Sequence, residues 1–245
     1  MRDINIYQDE YKNNPFEEHL IFYRHRKTLE FLRKHHAKNI LEIGCGLRPL
    51  YEYYTDFDSL VIVEPSEDFC AEVKRLKPAN VILMEGVFDG ALVEKLKEKF
   101  DFIVISSLLH ELDNPAELVK AAISVASPET FFHINVPNAK SFHRLLALKM
   151  GLISSLYEKS ERQHRYQQNT TFDLDSLTKL LKECGLIIES KGSIFIKPFT
   201  HQQMQALLDK EVFSSDLLEG LDALVSEFPD NGAEIFVNGR INEGI

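Results

Sequence analysis

Short apolar runs and charged amphipathic stretches alternate through the first half of the chain. The runs lie at residues 39–43 (NILEI), 60–64 (LVIVE), 81–84 (VILM), 100–106 (FDFIVIS) and 130–136 (TFFHINV). Brief, nearly continuous apolar runs suit strands covered on both faces, as in a parallel sheet. Residues 67–76, 91–99 and 115–126 fall between them and read as helices. The third has a start signal: Asn114 as N-cap, Pro115 in the first turn and Glu117 closing a capping box. Ahead of the first strand, residues 16–36 scatter Leu20, Ile21, Tyr23, Leu29, Phe31 and Leu32 among charges, roughly at helical spacing. After the fifth run the rhythm breaks into a polar and basic insertion, residues 137–172. It resumes with a helix over 174–184, capped by Asp173 and ended by Gly185, and a long strand over 186–197. Leu207, Leu208, Leu217, Leu218, Leu221, Leu224, Val225 and Phe228 make residues 202–228 amphipathic helix, and residues 233–237 form a last strand. This order predicts an α/β fold, doubly wound around a mostly parallel sheet.

Length and composition narrow the class. A chain of 245 residues fits one domain with an appendage better than two domains. Its divisions are an N-terminal helical cap (1–37), a ligand-binding half (38–136), a substrate-side insertion (137–172) and C-terminal helices with a final strand pair (173–245). The 28 basic residues against 38 acidic ones give a net charge of −10, with no basic run, so nucleic acid is a poor substrate. Three scattered cysteines (Cys45, Cys70 and Cys184) make neither a disulfide framework nor a zinc site. The start has no apolar leader, and no stretch approaches the ~18 apolar residues of a membrane span. These features point to a soluble, cytoplasmic enzyme. No histidine–carboxylate spacing suggests a metal.

The chemistry concentrates after the first strand, in Leu41-Glu42-Ile43-Gly44-Cys45-Gly46-Leu47-Arg48-Pro49. Gly44 and Gly46 let the backbone turn tightly and let a ligand approach it, while Pro49 suits a first helical turn. Twenty residues after Gly44, Glu64 ends the second strand, placed to hold ribose hydroxyls. Dinucleotide-binding proteins share this much. Two features favour another ligand: Pro49 stands where the third glycine would allow close helix–strand packing near a pyrophosphate, and Glu42 would repel one. Glu42 favours a ligand carrying an ammonium and a sulfonium.

Over residues 37–136 the chain resembles the class I S-adenosylmethionine-dependent methyltransferases. Glu42 through Gly46, including Cys45, resembles the glycine-rich motif that contacts the methionine part of that cofactor. The resemblance implies that Glu64 binds both ribose hydroxyls, with Pro65 and Ser66 beside the adenosine. It places Glu85, Gly86 and Val87 against the adenine. Ser106, Ser107 and Leu108, followed by His110-Glu111-Leu112, match the motif bordering the transferred methyl. It further implies a seven-stranded Rossmann-like sheet with one antiparallel strand near an edge, supplied by residues 233–237. The reaction would be in-line displacement at the methyl, releasing S-adenosylhomocysteine. Arg48 departs from the family's pattern; it meets a cofactor or substrate anion, or simply faces water. Asn135 to Arg144 and Tyr166 to Phe172 more weakly resemble methyltransferases found with sugar, capsule and small-metabolite genes.

Several residues keep two readings. His110 lies past the fourth strand, where open α/β sheets place ligands, and is either a general base or the cap of the next turn. Asn138, His143, Arg144, His164 and Arg165 in the insertion gather round an anionic acceptor or form a solvated loop. Tyr7 and Tyr11 share a helical face and serve as a lid or as ordinary packing. His133, inside a strand, reads as a hydrogen-bonded core residue, and His35-His36 as a cationic helix end. The 202–228 stripe is core or a homodimer contact. A nicotinamide-dependent oxidoreductase and a non-catalytic binding module on the same fold remain the rivals.

Overall fold

The computed structural model describes residues 16–159 and 169–242. Seven strands form one sheet: β1 (Asn39–Ile43), β2 (Ser59–Glu64), β3 (Val81–Glu85), β4 (Phe100–Ser106), β5 (Ala126–Pro137), β6 (Leu186–Ile194) and β7 (Glu234–Ile241). Their order across the sheet is β3-β2-β1-β4-β5-β7-β6. The first five are parallel, and β7 runs antiparallel to both β5 and β6. The order changes direction between β1 and β4, so their carboxyl ends open a crevice there, the place where such sheets bind ligands.

Alternation along each strand divides the core. Ile40, Leu60, Ile62, Phe102, Val104 and Phe131 face one side; Leu41, Val61, Val63, Ile103, Ile105, Phe132 and Ile134 face the other. The first side is covered by Leu20, Tyr23, Phe31 and Leu32 of α1 (Glu17–Lys34) and Val73 of α2 (Glu67–Leu76). After the short α3 (Gly90–Val93), α4 (Pro115–Ser124) covers the second side with Leu118, Val119 and Ala122. The insertion contributes α5 (Phe142–Lys149), and α6 (Leu174–Glu183) adds Leu174, Leu177 and Leu181 to the second core. Two more helices, α7 (His201–Asp209) and α8 (Ser215–Ala223), return to the first side through Met204 and Leu218. Each fully buried Leu, Ile or Phe contributes about 1.5–3 kcal/mol, so these two layers fix the register of every strand. Buried Arg24 pins α1 to the start of β7, its Nε 2.8 Å from Glu234 Oε2, and also reaches Glu17.

Several expected boundaries move. The helix expected over 91–99 is only α3, because residues 94–99 (EKLKEK) offer one apolar side chain before the chain enters β4. The helix expected to reach Ala126 stops at Ser124, since Ala126 already pairs with Phe100. Asn114 occupies the N-cap without a capping box: its amide donates to the Glu117 carboxylate at 2.7 Å. The strand over 186–197 ends at Ile194, where Phe195 turns into left-handed backbone (φ 54°). The 202–228 stretch is broken into α7 and α8, each with its own capping hydroxyl, Thr200 and Ser214. The Asp173 cap and Gly185 stop hold, with Ser176 completing a capping box. Among the described residues no helix is long and apolar enough to cross a membrane.

Candidate active site

The turn after β1 is shaped by two positive backbone angles, φ 78° at Gly44 and 57° at Gly46, which only glycine adopts at little cost. A β-carbon on Gly44 would touch Leu108 at 3.4 Å, whereas one on Gly46 would meet nothing within 4 Å. The turn is therefore closed beneath by Leu108 and open above Gly46. Pro49 does not begin a helix. It precedes a three-residue 3-10 turn, Leu50–Glu52, whose first amide donates to the Glu42 carboxylate at 3.1 Å.

Glu64 reaches from the end of β2 back to the glycine turn. Its Oε2 accepts from the amides of Cys45 (3.1 Å) and Gly46 (3.4 Å), and its Oε1 from Ser66 (2.9 Å). Ser66 in turn caps α2 by accepting from the Phe69 amide. The Gly86 amide donates to the Glu64 carbonyl at 3.0 Å, which brings the turn after β3 beside the same point. Both carboxylates are buried. Burial pushes Glu42 up to about 8 despite the Leu50 amide, and the neighbouring Glu64 charge pushes the same way. Burial also raises Glu64, opposed by its three amide donors, and raises the thiols of Cys45 and Cys70. Pro65, Glu85 and Val87 are exposed at the rim, with Glu85 paired to Lys74 at 2.7 Å.

Two buried carboxylates and open space over Gly46 fit a ligand with positive charge and hydroxyl donors. A cation favours the ionised form of both groups, whereas a pyrophosphate would work against it. The donor set therefore suits S-adenosylmethionine.

The turn after β4 supplies the facing wall. Ser106 and Ser107 both bond the Asn135 carboxamide at 3.1 Å, and Ser107 is held at φ 51°. His110 follows in the 3-10 turn Leu109–Glu111, buried, its Nε2 3.8 Å from Glu111 Oε1. The His110 carbonyl accepts from the amides of Asn169 (2.9 Å) and Thr170 (3.0 Å), so the end of the insertion lands on this turn.

The insertion's other predicted groups have partners elsewhere. Asn138 donates to the carbonyls of Asp230 (2.8 Å) and Gly232 (2.9 Å), and bridges to Phe172. Arg144 donates to the carbonyls of Leu156 and Glu158. The His143 amide is held by the Lys197 carbonyl at 3.1 Å. Arg48 is exposed and pairs with Glu52 (3.4 Å) and Glu18 (3.7 Å). Tyr7, Tyr11, His164 and Arg165 lie outside the described residues. His133 is the expected core residue, bonded to Asn238 at 2.7 Å. His35 is the expected cap at the end of α1; burial and nearby Arg240 lower its pKa, and its ring stacks on Phe131. Two buried polar residues near these turns, Asn135 and Tyr51, are marked by no sequence motif. The buried Tyr51 hydroxyl lacks a hydrogen-bond partner among the described residues, and burial raises its pKa to about 12. Among the described residues no three of His, Cys, Asp and Glu gather as a metal site would require.

This arrangement, with the reversal of strand order beside it, is that of a class I methyltransferase, and the family comparison agrees. Residues 16–191 match the methyltransferase-domain family, and the chain belongs to it as an S-adenosylmethionine-dependent methyltransferase. It is 24% identical over 190 residues to an uncharacterised protein of Methanocaldococcus jannaschii, covering 76% of this chain and 81% of that one. Among solved structures it is similar to the N-methyltransferase NodS of Bradyrhizobium japonicum with bound S-adenosylhomocysteine. That match has 14% identity and a TM-score of 0.53 over 94% of this chain and 90% of that one. It is also similar to a chain of the Haloferax volcanii complex between the Trm112 methyltransferase activator and a methyltransferase. There the identity is 13% and the TM-score 0.62 over 99% and 100% of the two chains.

Proposed function

We propose that this methyltransferase acts on an oxygen or nitrogen of a small molecule: a sugar, or a phosphorylated or carboxylated metabolite. The observation that supports this most is the placement of buried His110 directly under the insertion's return at Asn169 and Thr170, one turn beyond Ser106–Leu108. On this reading Glu42, Gly44, Cys45 and Gly46 hold the methionine part of the cofactor, Glu64, Pro65 and Ser66 its ribose side, and Glu85, Gly86 and Val87 its base.

When bound, S-adenosylmethionine supplies a methyl group already activated on a sulfonium. The chain's task is then to align the acceptor and exclude water. His110 takes the proton of a hydroxyl or ammonium acceptor. A carboxylate or phosphate acceptor needs no base, only positive groups, and His143 with the insertion's His164 and Arg165 are the candidates. Asn138 and Arg144 serve the site by fixing the insertion's path. The similarity to NodS, an N-methyltransferase, supports a nitrogen acceptor among these. The three cysteines, unpaired in the structure, suit a reducing cytoplasm.

The test is methyl transfer from labelled S-adenosylmethionine to a panel of amines, amino sugars, sugar phosphates and carboxylates. Labelled product from one acceptor class supports the reading. Labelling of protein or RNA substrates alone would overturn it. With a proton-bearing acceptor, His110→Ala lowers kcat by about 10²–10⁴-fold. An unchanged pH–rate profile would remove His110 from the chemistry.

A further inference from the structure

A row of side-chain hydrogen bonds crosses the interior of the sheet from β4 to β6. Ser106 Oγ donates to Asn135 Oδ1 at 3.1 Å, and the Ser107 amide is shared between that oxygen (3.1 Å) and the Asn135 main-chain carbonyl (2.9 Å). Asn135 Nδ2 lies 3.4 Å from His133 Nε2, and His133 Nδ1 lies 2.7 Å from Asn238 Oδ1. Asn238 Nδ2 then donates to Ser190 Oγ at 3.0 Å, where β6 shifts register against β7. His133, Asn135 and Asn238 are all fully buried.

One backbone amide fixes the direction of the whole row. Ser107 N–H can only donate, so the Asn135 atom facing it is the carbonyl oxygen and Asn135 Nδ2 points to His133. His133 Nε2 must then accept, which requires a neutral imidazole with its proton on Nδ1. That proton meets Asn238 Oδ1, leaving Asn238 Nδ2 to donate to Ser190. Burial pushes the His133 imidazole down to about 4, which keeps it neutral. The rings of Phe31 and Phe236 flank it at 5.4 and 6.1 Å and exclude water.

The row ends where the site begins. Ser107 has left-handed backbone, a conformation that a serine keeps only when its surroundings hold it. The next residue, Leu108, is the side chain that closes against Gly44. We propose that Asn135 is a positioning residue: held by His133 and Asn238, its carboxamide sets the Ser106–Leu108 turn against Gly44 and so sets cofactor affinity. The proposal rests on the reading that these two turns border the cofactor.

Two measurements on the full chain test it. In ¹⁵N-histidine-labelled protein at neutral pH, His133 shows a protonated Nδ1 and a bare Nε2; the opposite tautomer overturns the proposal. In calorimetric titrations with S-adenosylhomocysteine, Asn135→Ala and His133→Phe bind about tenfold more weakly, the effect of roughly one lost buried hydrogen bond. His133→Gln, which can still accept and donate, stays within about threefold of the parent. A purely structural role would lower the melting temperature of all three variants and leave affinity unchanged, which overturns the proposal. If the parent itself does not bind S-adenosylhomocysteine, the cofactor reading fails and the proposal with it. If the parent binds and Asn135→Ala matches it, the proposal alone fails.

Discussion

Burial, with the charge of neighbouring Glu64, raises the Glu42 carboxyl from 4.5 to about 8 against the opposing hydrogen bond from the Leu50 amide. The sign of its effect on folding follows. Between about 4.5 and about 8 the unfolded chain has lost this proton and the folded chain keeps it, so Glu42 makes stability fall as pH rises. The slope is at most about 1.4 kcal/mol per pH unit. Glu42→Gln keeps an acceptor for Leu50 and removes the titration. Denaturant melts of the variant should show a smaller decline toward pH 8 and higher stability than the parent there. A cationic ligand at the glycine turn favours the ionised carboxylate. Affinity for S-adenosylmethionine should therefore rise from pH 6 to 8 in the parent and stay flat in Glu42→Gln. Parallel pH profiles for the two proteins would remove Glu42 from the ligand's surroundings. Glu42 and Glu64 were legible because acids at strand ends, in step with glycines, make a pattern. Asn135 was not, because an asparagine inside a strand looks like any other until its partners on β4 and β7 are known.

At the scale of elements, what the sequence revealed depended on period. The strands could be read because apolar runs alternate between two cores, and α6 because Asp173, Ser176 and Gly185 mark its ends. The break between α7 and α8 could not, because apolar residues continue at helical spacing across it while the Thr200 and Ser214 caps act locally. The fate of Asn138 and Arg144 was hidden for a related reason: both donate to backbone carbonyls, which no sequence pattern displays. The joining of β6 to β7 gives a sharper test of the sheet. A β-carbon on Gly239 would lie 2.3 Å from the Ile187 carbonyl oxygen, a backbone atom that cannot move aside. Gly239→Ala should cost about 2–3 kcal/mol of stability in denaturant melts, near the upper range for overpacking. Gly46→Ala, with open space around it, should cost only about 1–2 kcal/mol for its left-handed backbone. A Gly239→Ala protein as stable as the parent would contradict the β6–β7 register.

Over the whole molecule, two of the buried histidines, His133 and His25, contribute to acid sensitivity. Burial lowers His133 to about 4 and, with Arg24 and Arg48 nearby, His25 to about 3. Below 6.5 the unfolded chain protonates both while the folded chain does not, so stability is lost as pH falls from about 6.5 toward 4. Melts of His133→Gln should lose part of this acid slope; a slope identical to the parent's would place the loss elsewhere. The parallel half of the sheet and the glycine turn of the candidate site could be read from residues 37–136. The acceptor side could not, since its determinants depend on where an insertion returns rather than on a motif. We propose that the carboxylates at the ends of β1 and β2 hold S-adenosylmethionine. Calorimetric titration of the parent and Glu64→Ala with S-adenosylmethionine and S-adenosylhomocysteine tests it most directly. The parent should bind in the micromolar range and the variant should lose about 1–3 kcal/mol, the value of a charge-assisted hydrogen-bond partner. Equal affinity in the two proteins, with both folded, would contradict it.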